Sequence, residues 1–368
     1  MNKKGRNSSL ELLRIISMFF IVIHHYAFYG TFNRINYIST NISTFRINLM
    51  LLFFGKVAVD LFVLIGAYFL SEKRFNFKRP VNLGITTIVY SLSIFIFIKI
   101  AFPQLIWNHE NWFQALFPFP SPTGYWFVDS YLFMLLLMPV LNLCLESFSL
   151  KKIKQFIVLL LILWSILPTF TTLFNYKLDL SPENFGYSSG TFFLLIYIIS
   201  GFLRKSVTVN NINLAKESII LSLLIIISVA YISICSYNKE FFSLTSIMAY
   251  LFNPLALFLA ISIFKCFLKL KFHNKIINYI SGSMFGVYLL HENSFVRPFI
   301  WKSLFNSAQY SSEAQDYLIY GIRVSLAVFV ICILIDIVFR RLILLKFINK
   351  LSDIVSNSLV KIVNDEEK

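Results

Sequence analysis

Stretches of about 20 apolar residues recur along the whole chain, and that repetition leaves few folds open. A helix rising about 1.5 Å per residue needs about 20 residues to cross the hydrocarbon layer of a membrane. With 57% hydrophobic residues against 14% charged, a soluble domain could not cover its apolar surface. The runs lie near 9–29, 49–70, 80–102, 124–146, 153–174, 187–203, 217–236, 243–265, 278–300 and 317–342. The fold class expected is all-α: a polytopic membrane protein with about ten transmembrane helices. The loops at 30–48, 103–123 and 301–316 are too short to fold alone. This leaves one integral membrane domain over 1–350 and a cytoplasmic tail over 351–368.

The formal net charge of +15 would direct a soluble protein toward nucleic acid. Here its distribution decides otherwise. With both termini cytoplasmic, 23 of the 33 Lys and Arg fall on the cytoplasmic side and 7 outside, with Arg14, Lys56 and Arg323 within spans. That asymmetry is the positive-inside pattern. The charge therefore reports topology; the partner implied is membrane lipid, with no nucleic acid, and the location expected is the cell membrane, multi-pass. The opening "MNKKGR" precedes an apolar run without a small-residue cleavage site, and Arg14 would interrupt a signal core, so the run reads as a retained span. Cys144, Cys235, Cys266 and Cys332 are scattered without a C-x-x-C, which implies neither a disulfide framework nor a metal site. No Walker loop, G-x-G-x-x-G or repeated half is present.

The first span, "SLELLRIISMFFIVIHHYAFY" (9–29), carries Glu11, Arg14, His24 and His25. Such groups are costly in hydrocarbon and mark functional sites. Arg14 and His25 are eleven residues apart, which places them within roughly 20° of one helix face and about 16 Å apart along its axis. His24 points some 80° away from Arg14. Two groups on one stripe at opposite depths suggest a polar path through a bundle. The alternative is that Arg14 snorkels to the headgroups and the histidines sit at the outer interface.

Lys56 and Asp60 are four apart on the second span, a spacing that suits an intrahelical ion pair. Asp129 lies in the outer third of the fourth span, level with His25; it either orients an imidazole or is a hydrogen-bonded interfacial carboxylate. His291 and Glu292 are adjacent and point about 100° apart, so one of them is expected to face an interior site. Arg323 reads as a snorkelling anchor, and His109 and His273 as loop residues.

Arg14-x10-His25 in the setting "LELLRIISMFFIVIHHY" resembles the opening of the acyltransferase-3 family of integral membrane O-acyltransferases. "GKVAVDLFVLIGAYFL" is similar to that family's Gly-x-Asp-Leu-Phe-Phe-Val-Ile-Ser-Gly block, with Asp60 at the acidic position. "ISGSMFGVYLLHE" is similar to its late Ser-Tyr-x-x-Tyr-Leu-x-His element, with His291 at the histidine. The resemblance runs from about residue 9 to 342. It departs at the family's Arg-x-x-Arg pair, where this chain has Arg79 and Asn82, and Lys78 or Arg74 would have to substitute as point charges.

The resemblance implies ten helices and transfer of an acyl group, acetyl above all, from cytoplasmic acyl-CoA to a hydroxyl of an exported or lipid-linked surface glycan. Acetyl-CoA would be the donor substrate, with no metal. Relatives with an added esterase-like domain complete transfer outside; this chain would act directly or through a separate extracytoplasmic partner. O-acylation needs a base for the acceptor hydroxyl and positive charge near the donor. His25 is the base expected, because imidazole exchanges protons near neutral pH. Asp60, Asp129 and His291 complete the catalytic set expected, and Arg14, Arg74, Lys78 and Arg79 the donor-binding set. The rival readings are a membrane transporter of a small substrate or glycan precursor, and a non-catalytic partner in polysaccharide assembly; repeated halves, which transporters commonly show, are lacking.

Overall fold

Most apolar runs begin where a polar side chain can satisfy the first free amides of a helix. In the computed structural model, which describes residues 7–32, 41–103, 109–120, 124–178, 182–237 and 239–365, Asn7 accepts the Ser9 amide at 3.1 Å to open α1 (Ser8–His25). Asn41 does the same at 2.9 Å for α2 (Ile42–Leu70). The chain continues through α3 (Lys78–Ala101), the short α4 (His109–Leu116) and α5 (Trp126–Ser147). Ser149 caps α6 (Leu150–Leu161), which passes through a π turn into α7 (Leu167–Leu178). A Ser188–Thr191 capping box opens α8 (Ser189–Ser206), and α9 (Leu214–Tyr237) follows. Asn253, with proline next, starts α10 (Pro254–Lys269). The last helices are α11 (Lys275–Ser281), α12 (Met284–His291), α13 (Ala314–Asp336) and α14 (Leu345–Asp365).

No strand occurs among the described residues, and eight helical stretches are long and apolar enough to cross a membrane. The chain is an all-α polytopic membrane protein. The difference from ten lies at two places. The run at 187–203 is a helix, α8, but is not one of the eight; the run at 278–300 is broken. The lysine-rich first six residues and the last three lie outside the described residues.

The centre of the bundle is α2, packed against α1, α8 and α10. It starts seven residues before its apolar run because its early polar groups find interior partners. Asn48 donates to the Ala27 carbonyl at 3.0 Å and the Tyr317 hydroxyl at 2.8 Å, and Arg46 donates to Ser236 at 2.8 Å. Gly55 lets α1 approach closely, since a Cβ there would run into the ring of His24. Small residues at such crossings are how membrane helices gain packing.

The break at 278–300 has a distant cause. Arg340, one turn past the end of α13, donates to the Gly282 carbonyl at 2.7 Å, and Arg341 to the Tyr279 carbonyl at 2.5 Å. These carbonyls are where α11 gives way to α12, and a helix can be interrupted at membrane depth only if its freed groups are satisfied. Asp336, fully buried, holds Arg340 at 2.7 and 2.9 Å and accepts from Tyr90 at 2.5 Å. The knot ties α3, α12 and α13 together.

The boundary expected at 350/351 falls inside α14. Its buried stripe, Ile348, Ser352 and Ser356, recurs every four residues, and the helix packs along α3. Asn82 donates to Ser352 at 3.1 Å, and Lys78 pairs with Asp353 at 2.5 Å.

Candidate active site

His25 is the last residue of α1 and is 5% exposed. Its Nδ1 lies 2.9 Å from Nε2 of His291, and the Nδ1 of His291 lies 2.6 Å from the Val287 carbonyl. A carbonyl can only accept, so His291 carries its proton on Nδ1. Its Nε2 therefore accepts from His25 Nδ1–H, which leaves His25 Nε2 as the nitrogen with a free lone pair. Glu292 Oε2 sits 3.2 Å from that Nε2 without hydrogen-bond geometry, so the lone pair is not consumed by the contact. The other Glu292 oxygen accepts from Tyr29 and from Arg297, each at 2.8 Å, and Arg297 also lies over the Tyr29 ring. Tyr29, His25, His291, Glu292 and Arg297 thus form one connected cluster.

The cluster borders a cavity of about 230 Å³ into which His24, His25, Tyr29, Lys56, Phe285 and Tyr288 face, with further aromatic and aliphatic side chains completing the wall. His24 takes part in a different way from its neighbour. Its Nδ1 is 3.1 Å from the Leu52 carbonyl and its ring stacks on Phe28, so it is anchored to α2 and makes no contact with Glu292 or His291.

A second cavity, about 710 Å³, opens at the other end of α1. Arg14, Lys78, Arg79 and Asn82 line it, together with Asn349 of α14. Glu11, buried, holds Arg14 at 2.6 Å and accepts in turn from Ser281. The two cavities share one lining residue, Phe285.

Of the residues read from the sequence, His25 and His291 come together, and Arg14, Lys78 and Arg79 share the larger cavity. Arg74 is exposed and lines neither cavity; its carbonyl accepts from Arg79 at 2.7 Å. Asp129 sits in the first turn of α5, also off both cavities. The Lys56–Asp60 ion pair does not form: Asp60 is fully buried with both oxygens free of hydrogen bonds, while Lys56 faces the cavity. Nor does only one of His291 and Glu292 face the site. Both reach His25: Glu292 still makes the helical bond to the Tyr288 carbonyl, and its long side chain, held by Tyr29 and Arg297, brings Oε2 to 3.2 Å from His25 Nε2. Tyr29 and Arg297 were not among the candidates; Tyr29 stands one helical turn after His25, which is the signal that could have found it.

By distance alone His25, His291 and Glu292 could ligate a metal ion, their nearest ligand atoms lying within 4.8 Å of one another. The two imidazole nitrogens, however, already face each other at hydrogen-bond distance. The chemistry this geometry offers is proton exchange at His25 Nε2, backed by a carboxylate, in an aromatic cavity that shares Phe285 with a cationic one.

No curated protein and no solved structure matches the chain. The family model described as the acyltransferase domain matches residues 7–337, which include the whole histidine cluster and the lining of both cavities except Asn349. A buried base in a membrane bundle beside a cationic cavity is an arrangement suited to acyl transfer, and the chain belongs to the acyltransferase-3 family of membrane acyltransferases.

Proposed function

We propose that this membrane acyltransferase moves an acetyl group from cytoplasmic acetyl-CoA to a hydroxyl of an exported or lipid-linked glycan in the cell membrane, with both its termini cytoplasmic. The observation that carries the reading is the pair of cavities meeting at Phe285, cationic on one side and holding the histidine base on the other. Coenzyme A is polyanionic, and Arg14, Lys78 and Arg79 suit its phosphates. The pantetheine arm passes Arg14 and delivers the thioester carbonyl at Phe285. The acceptor hydroxyl enters beside His25 and gives its proton to Nε2 as its oxygen attacks the carbonyl carbon. His291 is a positioning residue that holds the tautomer, and Glu292 stabilises the imidazolium so formed. The coenzyme thiolate then leaves and takes the proton back from His25.

The interrupted helix 275–304 favours a second reading, transport of a small substrate, since transporters bind at such breaks. Mass spectrometry of surface glycans separates the two. Ester groups present in wild type, absent in a His25→Ala strain with normal protein level and restored by complementation support transfer. Ester content unchanged by His25→Ala refutes it.

A further inference from the structure

The cavity beside His25 is lined by a buried hydroxyl whose proton finds no acceptor. Tyr288 lines it and is 4% exposed, yet its hydroxyl has no hydrogen-bond partner among the described residues. Other interior tyrosines are engaged: Tyr29 with Glu292, Tyr90 with Asp336, Tyr125 with the Leu289 carbonyl and Tyr197 with Asn142. Buried hydroxyls almost always find such partners, because leaving one unpaired destabilises the fold.

The ring has little freedom to seek one. It is wedged among Phe127 at 5.5 Å, Tyr125 at 5.7 Å and His291 at 6.3 Å between centroids. It stands one turn before His291 on α12, so the base's partner and this hydroxyl share a rigid element. The backbone amide of Phe127, the second residue of α5, faces the hydroxyl oxygen and can only donate to it, so the hydroxyl's own proton is left without an acceptor; Phe127 lines the same cavity. The first turn of a helix favours negative charge through its amides and dipole. A donor with no partner, next to a helix N-terminus and across a small cavity from a base, is matched to an anion that exists only during reaction.

We propose that the Tyr288 hydroxyl is the hydrogen-bond donor to the oxyanion of acyl transfer, assisted by the first turn of α5. This rests on the reading of His25 as the base. The acceptor oxygen bonds to the thioester carbon as its proton passes to His25 Nε2, and the carbonyl π pair moves onto oxygen. Tyr288 O–H donates to that oxygen. The pair then returns, the C–S bond breaks, and the thiolate of coenzyme A takes the proton from His25. Tyr288 keeps its own proton throughout.

Tyr288→Phe tests this in the purified full-length protein, with acetyl-CoA as donor, water and glycerol as acceptors, and release of free thiol as readout. Turnover should fall about 10²- to 10³-fold, as for loss of an oxyanion donor elsewhere. The KM for acetyl-CoA should stay within about twofold, and the pH profile should keep its shape because the base is untouched. The melting temperature should equal or exceed that of wild type, since the substitution removes an unpaired buried hydroxyl. Turnover within about threefold of wild type overturns the proposal. So does a loss carried by KM, or one accompanied by a lower melting temperature, either of which would make the hydroxyl structural. Absence of thiol release in wild type, or full release in His25→Ala, overturns the underlying reading of His25 instead.

Discussion

Replacing His291 by phenylalanine isolates its part in the histidine pair. The ring volume is kept, the 2.9 Å contact to His25 is lost, and the acceptor that holds the proton on His25 Nδ1 disappears. His291 is fully buried and does not line the cavity, so it cannot itself reach substrate there. A buried donor left without its acceptor costs about 1–3 kcal/mol. If all of that falls on the productive tautomer, turnover drops about 5- to 150-fold. Removing the base itself, as in His25→Ala, forfeits about 10²- to 10⁴-fold. His291→Gln should recover part of the loss, because a Gln oxygen reaches about as far as the imidazole Nε2. Steady-state thiol release from acetyl-CoA, with kcat and KM separated and the melting temperature recorded, measures all three. A loss in His291→Phe as deep as in His25→Ala, or no advantage for His291→Gln, refutes the assignment of positioning to one histidine and proton transfer to the other.

Three further substitutions and a labelling experiment probe the frame around that pair. Gly55→Ala should lower the melting temperature in detergent, at a cost of about 1–3 kcal/mol, because its methyl would displace His24 and part α1 from α2; an unchanged melting curve contradicts the close crossing. Arg14→Ala should weaken acetyl-CoA binding about tenfold or more while His25→Ala leaves binding nearly intact, and equal binding in wild type and Arg14→Ala removes the donor role. His24→Ala should lose stability with its bond to Leu52 but keep most activity, in contrast to His25→Ala; the reverse order would exchange the two histidines. Single cysteines at positions 76 and 120 of a cysteine-free protein should label with an impermeant reagent in intact cells only at 120, and labelling only at 76 inverts the topology.

The helical phase of the first span separates its groups only in part: Arg14 and His25 each line a cavity, but His24, some 80° away by phase, lines the cavity of His25 as well. What escaped depends on residues far away in sequence. Glu292 joins the site through Tyr29 and Arg297, which hold its other oxygen, and Tyr29 is more than two hundred residues away in the chain. The break between α11 and α12 is held by Arg340 and Arg341, 58 and 62 residues downstream of the carbonyls they cap, so the run at 278–300 looks continuous when read alone. Lys56 and Asp60 have the spacing of an ion pair, but the ammonium turns to the cavity, and spacing cannot say which of two neighbours a flexible side chain prefers. Asp129 lines neither cavity, a placement that depends on how α5 packs.

Phe285, the residue shared by the two cavities, has a bioenergetic consequence. On one side of it runs a chain of polar groups, His25, Glu292 and Arg297; on the other runs Arg14 with Glu11 and Ser281. Were these two chains joined by water, an energised membrane would discharge through the enzyme with every idle second. On the proposed function, the Phe285 ring is the point that a thioester arm would pass and hydronium would have to be kept from passing. On that reading, copies of the protein in a membrane under voltage would not drain its proton-motive force.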